Sequence, residues 1–390
     1  MQKQRTSDWI LNPVFIFFVL WSTQILGHAV LADQFYSFET ETWAALAVGF
    51  FAFVLGSYIA STFGNSGRQS TALKVNTAPR MVSVYLVLLL PIYIAFVVAP
   101  NIYNFVSNPD LLFSEIRNSM VDSVSDNDRS VILGLYLHYV IVFLSIITIS
   151  YSRFIKNGVL IYVITFGIIA GLLTFGRNIL LLYFISLGVI LYLQGKISKK
   201  MTLLIGLFFV VGFFALAMLL GKGGNDDGWV ESVAWNFKVY VLGGFAAFNN
   251  YIAIGEPNIT GSLLMPNFLK ELVSVFGFRQ DATPNLLPFV EVPLPVNVYT
   301  VFFPWYHDGG FVGVLFGFMV IGFVTMKLFL ARYRSELSML VYSISLYPLV
   351  MMIFEEQYIR AYPLWGLIII IVASMLILER ISFRNLRTIS

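Results

Sequence analysis

The chain has 390 residues, of which 58% are hydrophobic and only 12% charged, with a mean hydropathy of +0.81; a soluble domain carries about 45–50% apolar residues and about 25% charge, so this is a polytopic membrane protein. A net charge of +3 from basic residues scattered among short loops gives no footprint for nucleic acid. Cysteine is absent, which removes disulfides, thiolate metal sites and a cysteine nucleophile together, and the three histidines (His28, His138, His307) are too few and too dispersed for a histidine-built metal centre.

The amino terminus, Met1-Gln2-Lys3-Gln4-Arg5, leads into an apolar stretch with no small-residue cleavage site soon after it, and reads as a retained first helix. About 20 apolar residues cross a bilayer as helix. On that template ten spans follow in order: 10–31, 43–62, 81–100, 131–151, 158–176, 178–194, 201–220, 309–329, 337–354 and 363–379. The predicted fold class is all-α, a polytopic integral membrane protein with residues 1–390 as one transmembrane domain.

Charge placement checks that order. With ten spans, 16 of the 24 Lys and Arg fall on one side, among them Lys3, Arg5, Arg153, Lys196, Arg332 and Arg384, beside three acids, Asp8, Glu336 and Glu379. The other side receives 8 bases and 18 acids. Such asymmetry predicts that both termini are cytoplasmic and that the acidic loops face outward. An odd number of spans would destroy the pattern.

Three outer segments exceed simple turns. Residues 101–130 form a polar loop. Residues 221–308 form a large external loop between spans seven and eight; within it Trp229 to Gly255 is semi-apolar and broken by Gly243-Gly244 and Asn249-Asn250, which predicts an interfacial or re-entrant helix. Pro284, Pro288, Pro293, Pro295 and Pro304 then force extended backbone up to the eighth span. Residues 355–362 form a short loop with Glu355, Glu356 and Arg360.

No Gly-rich phosphate loop, Gly-x-Ser-x-Gly or zinc motif occurs, and no cofactor or metal is called for. The adjacent pair Asp226-Asp227 lacks the further oxygen ligands of a cation site and reads as a solvated turn. An outer anion site would draw on the few outward bases. Arg177 leads them, since it is the only charge between Lys156 and Lys196 and stands at the junction of two membrane segments. Charge in that position is costly, and the guanidinium fork suits phosphate. The bland alternative is an arginine snorkelling to headgroups. Arg360 follows the same logic, with Glu355 or Glu356 as simple ion-pair partners in the alternative; Arg279 is either a ligand or an exposed loop residue, and Arg117 and Arg129 lie among acids as solvated charges. At Tyr306-His307-Asp308-Gly309-Gly310, His307 titrates in the right range to take a proton and Asp308 is a carboxylate base. Asp308 is equally suited to cap a helix beginning near Gly309. His28 and His138 read as histidines satisfied by neighbouring helices.

Val296-Asn297-Val298-Tyr299-Thr300, then Tyr306, Asp308-Gly309-Gly310 and Gly313, resembles the pattern in the C-terminal third of bacterial oligosaccharide repeat-unit polymerases, the Wzy-type O-antigen and capsule polymerases. Tyr240 to Phe248, with Gly243-Gly244, resembles an element upstream of it, and Gly176-Arg177 resembles their glycine–arginine junction. One departure is Gly309, where the family carries an aromatic residue between Asp and Gly. The resemblance implies a GT-C-like glycosyltransferase of the bacterial inner membrane, working at its outer, periplasmic face without metal or nucleotide. It would join oligosaccharide units carried on undecaprenyl diphosphate, with lipid-linked donor and acceptor, membrane lipid and a chain-length regulator protein as partners. Together with the reading of the residues above, this makes Arg177, Asp308 and His307 the candidates for catalysis and Arg279, Arg360, Asn297, Tyr299 and Tyr306 the candidates for substrate binding. The alternatives are an O-antigen ligase, which uses the same donor, and a polysaccharide or lipid flippase without catalysis. Transporters place polar residues at mid-membrane on broken helices, whereas these charges gather at the outer ends of spans.

Overall fold

The computed structural model describes residues 8–63, 91–95, 99, 129–151, 157–174, 177–219, 229–255, 261–278, 280–284 and 287–387. Helix dominates them: α1 (Pro13–Val30), α2 (Thr40–Thr62), α3 (Arg129–Ser150), α4 (Asn157–Leu172), α5 (Arg177–Leu193), α6 (Lys199–Leu219), α7 (Trp229–Phe237), α8 (Gly243–Ile254), α9 (Asn267–Ser274), α10 (Phe302–Ala331), α11 (Glu336–Met351) and α12 (Tyr362–Arg387). Between α9 and α10 a two-stranded antiparallel hairpin pairs β1 (Val290–Glu291) with β2 (Pro295–Val296). Among the described residues, α1, α2 and α10 are long and apolar enough to cross a membrane, and shorter apolar helices lie in α3, α4, α5, α11 and α12. These helices, with α6, coincide with nine of the predicted spans; the third, 81–100, falls mostly outside the described residues.

The chain divides into two compact units, one of residues 1–68, 223–332 and 345–362, the other of residues 69–222, 333–344 and 363–390. In the first, α1 shows what a lipid solvent does to side-chain placement. Asn12 caps it by accepting from the Val14 N–H at 2.9 Å, with Pro13 in the first turn. Its buried stripe is Phe17, Trp21, Gln24 and His28, whereas Leu26 and Val30 are 64% and 77% exposed. Polar groups turn inward and apolar ones outward, because lipid cannot satisfy a hydrogen bond. Gln24 donates to the Val241 carbonyl and His28 Nε2 lies 3.2 Å from the Leu242 carbonyl. Both acceptors sit in the π-helical turn Lys238–Leu242, whose widened ladder leaves carbonyls for outside donors. His28 is thus held by a neighbouring element, as expected.

Helix α2 packs on α10 through Ala45, Gly49, Ala52, Gly56 and Ala60, a buried small-residue stripe at helical spacing. A Cβ on Gly56 would strike the Met319 carbonyl, and one on Gly322 the Phe53 carbonyl. The two backbones therefore touch, which is how helices gain van der Waals contact where no hydrophobic drive separates protein from solvent. Around this seam Phe17 stacks on Phe53 at 4.1 Å and Phe302 on Phe318 at 4.3 Å.

Within 229–255, expected as an interfacial or re-entrant helix, the middle is enclosed on every side. Gly243 to Asn250 are all buried, and a helix with one face in water cannot bury eight successive residues. Asn249 explains the polar interruption: its amide oxygen accepts from the Glu39 N–H at 2.8 Å and the Thr42 hydroxyl at 2.7 Å, and its NH₂ donates to Ser37. It caps α2 from another element.

At the opposite end of α10, the Arg332 guanidinium donates to Asp8 at 2.9 Å and lies over the Phe329 ring. Both residues are buried, at 7% and 4% exposure. Asp8→Ala is expected to cost about 3–5 kcal/mol, because it strands a buried cation. The check is thermal unfolding of the purified protein in detergent, in which Asp8→Leu with Arg332→Met should recover most of the loss.

In the second unit, Ser145 donates to the Val163 carbonyl at 2.8 Å and lies 3.0 Å from the Tyr183 hydroxyl, joining α3, α4 and α5. Gly167 makes room for the Tyr183 ring. His138 meets the Tyr93 hydroxyl at 2.6 Å, the neighbouring-group satisfaction expected for it.

Candidate functional site

Hydropathy alone places a span at 309–329, but the chain is helical from Phe302 and reverses at Gly310, whose φ of 55° and ψ of −144° break α10 in two. Only glycine enters that region cheaply. The reversal folds Phe302–Gly309 against the longer arm: a Cβ on Gly313 would strike the Trp305 carbonyl, and one on Gly317 the Trp305 indole. Asp308 consequently sits at the tip of a helical hairpin. A Cβ on Gly309 meets nothing within 4 Å, so the aromatic residue that the resemblance leads one to expect there has open space and no packing role to fill.

Asp308 does not cap the arm that follows it. Its carboxylate reaches back 44 to 46 residues in sequence, accepting from the Ser262 hydroxyl at 2.5 Å and from the Leu263 and Leu264 N–H groups at 2.9 Å each. His307 Nδ1 lies 2.7 Å from the same carboxylate. Four donors meet a group with about four lone-pair sites, so Asp308 is saturated. The carboxylate thereby ties His307 to the 262–264 turn. With Nδ1 donating to Asp308, the basic nitrogen of His307 is Nε2. The His307 side chain is 13% exposed, flanked by the rings of Tyr251 and Phe303 at 6.0 and 5.8 Å.

The anchored turn opens a self-supporting loop. Asn267 and Thr283 exchange two hydrogen bonds, at 2.8 and 3.0 Å, and the Lys270 ammonium donates to the Asp281 carbonyl and the Thr283 hydroxyl, both at 2.7 Å. Burial lowers the Lys270 ammonium from its ordinary pKa, against the opposing charges of Asp308 and Asp281. Arg360 joins this network by donating to the Pro284 carbonyl at 3.4 Å. Beside it Glu356, 1% exposed, accepts from the N–H groups of Tyr358, Ile359 and Arg360 at 2.8 to 3.0 Å. Burial raises its carboxyl above the usual range, while those donors and the Arg360 charge pull the other way.

Of the predicted residues, the structure brings His307, Asp308, Tyr306 and Arg360 to one hydrogen-bonded region of the first unit. Tyr306 points its hydroxyl at Glu41, 3.5 Å away, and Asn297 is half-buried after β2. Tyr299 is 1% exposed, stacks on Phe303 at 4.5 Å and donates to the Pro288 carbonyl. Arg177 opens α5 in the second unit, after the 16 residues of α4, which rise only roughly 24 Å against a hydrocarbon core of roughly 30 Å; its side chain, like Arg279, lies outside the described part. Ser262, Lys270 and Glu41 were not singled out by the sequence. Their partners lie far away in the chain or on the main chain, and only an unpaired-looking charge in an apolar setting, Lys270, gave any signal.

Helical spans with inward polar groups define an integral membrane protein, and a histidine–carboxylate pair stands at the tip of its helical hairpin. The chain is similar to an O-antigen polymerase of Shigella dysenteriae, 32% identical over 178 residues, which are 44% of this chain and 45% of that protein. The match thus spans less than half the length of that relative. It supports the resemblance to repeat-unit polymerases. No protein-family profile matches the chain, and no solved structure matches it.

Proposed function

We propose that this protein polymerises oligosaccharide repeat units linked to undecaprenyl diphosphate, at the outer face of the bacterial inner membrane, as a ten-span, GT-C-like glycosyltransferase with both termini in the cytoplasm. The similarity to the Shigella polymerase is the observation that carries the reading. The Asp8–Arg332 pair adds support for the topology, since an ion pair requires its two residues on one side of the membrane.

The chemistry follows from the residues. His307 Nε2 removes the proton from a sugar hydroxyl of the incoming lipid-linked unit, and Asp308 steadies the imidazolium that forms. The hydroxyl oxygen bonds to the anomeric carbon of the growing glycan as the bond from that carbon to the diphosphate oxygen breaks. The electron pair leaves with undecaprenyl diphosphate, already stable as an anion, so arginines can meet its charge in place of a metal and no nucleotide is needed. Arg177 is the principal anion ligand, with Arg279 and Arg360 as further ones, and Asn297 and Tyr306 bind the sugars. Residues 221–308 are the external loop that carries His307, and a chain-length regulator is the expected protein partner.

Arg177→Lys is the direct test of the anion ligand. A lysine keeps the charge and loses the planar fork, and removal of one electrostatic stabiliser costs about 10²–10³ in rate. Extension by the reconstituted variant should fall by that factor with normal membrane accumulation; a wild-type rate removes Arg177 from the mechanism.

A further inference from the structure

Helix α9 carries an apolar face that nothing in the first unit covers. Phe268, Leu269 and Leu272 are 52%, 36% and 56% exposed, and Val275 and Phe276 just beyond are 80% and 73% exposed. At about 100° per residue these five side chains fall within about 120° of the helix circumference. Lys270, on the other side, is 3% exposed and bound to the loop interior. The helix gives its single basic side chain to the protein and turns its hydrophobic stripe outward, a patch that demands an occupant.

The surroundings of α9 identify that occupant. Leu264, held by Asp308, is three residues before the start of α9, at most roughly 10 Å of chain. Three residues after Asp308 begins the exposed apolar run of α10, where Phe311, Val312 and Phe316 are 38%, 62% and 56% exposed. At the other contact, the Phe268 ring lies 5.3 Å from Tyr362, the first residue of the apolar helix α12. Both tethers are therefore points where apolar helices emerge from lipid. We infer that α9 lies in the headgroup–acyl boundary of the bilayer, with Phe268, Leu269, Leu272, Val275 and Phe276 directed at the acyl chains. An amphipathic helix in that plane buries its apolar face about 5–10 Å deep. This anchors the loop that Asp308 holds, and fixes the height of His307 above the lipid. Because Lys270 is withdrawn and Glu271 is exposed, the attachment is apolar and needs no anionic lipid. The inference rests on the membrane-spanning helices and is independent of the polymerase reading.

The native chain has no cysteine, so single labels are available. The full-length protein, carrying an environment-sensitive fluorophore on Leu272→Cys, on Phe276→Cys or on Ser274→Cys at the polar side, is reconstituted in phosphatidylcholine vesicles. Labels at 272 and 276 should lose most of their emission to nitroxide-bearing lipid, ignore aqueous iodide, and stay unchanged in high salt. The label at 274 should show the reverse. If iodide quenches 272 and 276 as strongly as 274, the face is in water and the proposal fails. Protection from both quenchers also overturns it, because a second copy or a polyprenyl tail then covers the stripe.

Discussion

His307→Gln is expected to slow repeat-unit extension by about 10²–10⁴-fold, the usual worth of one positioned proton-transfer group. Glutamine has similar reach and its amide can still donate to Asp308, but it has no nitrogen that accepts a proton near neutral pH. The Asp308 clamp on Ser262, Leu263 and Leu264 is untouched by this change, so the loop stays anchored and the loss is chemical. Asp308→Asn is a poorer experiment. Asparagine would turn two donors toward a site where four donors already converge, breaking the loop anchor and the orientation of His307 together. The discriminating readout is the acceptor-saturated rate across pH, with accumulation of each variant measured in parallel. A His307→Gln protein that extends at the wild-type rate removes the histidine from the chemistry.

Gly56→Leu combined with Gly322→Leu is expected to abolish accumulation of folded protein. Overpacking a core costs about 1–3 kcal/mol when neighbouring side chains can adjust. Here the obstacles are the Met319 and Phe53 main-chain carbonyls, which cannot rotate away, so each site should cost at least the upper end of that range. Gly134→Ala in α3 is the control, since a Cβ there meets nothing within 4 Å. Size-exclusion profiles in mild detergent should show the control as wild type and the double variant aggregated or absent.

The helices were legible in the sequence because lipid imposes one rule on every span, an apolar run with few charges, and that rule is local. The hairpin in α10 was not: hydropathy stays high across Phe302–Ala331, so only Gly309-Gly310 hinted at a reversal, and both glycines fit a helix start equally well. His307 and Asp308 could be picked out by residue type, yet the hydrogen bonds that hold Asp308 come from Ser262 and its two following N–H groups, a long-range pairing invisible to any motif. Asn249 shows the same limit, reading as a polar interruption until its three partners around the start of α2 appear. The amphipathic segment was expected in 229–255, where glycine and asparagine break an apolar run. Burial there leaves α9, eight residues long, as the helix with a bare hydrophobic stripe and a withdrawn lysine.

The central claim is that this protein itself lengthens lipid-linked oligosaccharides. Purified protein in vesicles, supplied only with repeat units on undecaprenyl diphosphate, should convert them to a ladder of products each one repeat longer, with release of the free lipid diphosphate and no added metal or nucleotide. Products that form only when lipid A core is added, or units that cross the bilayer without growing, would contradict it.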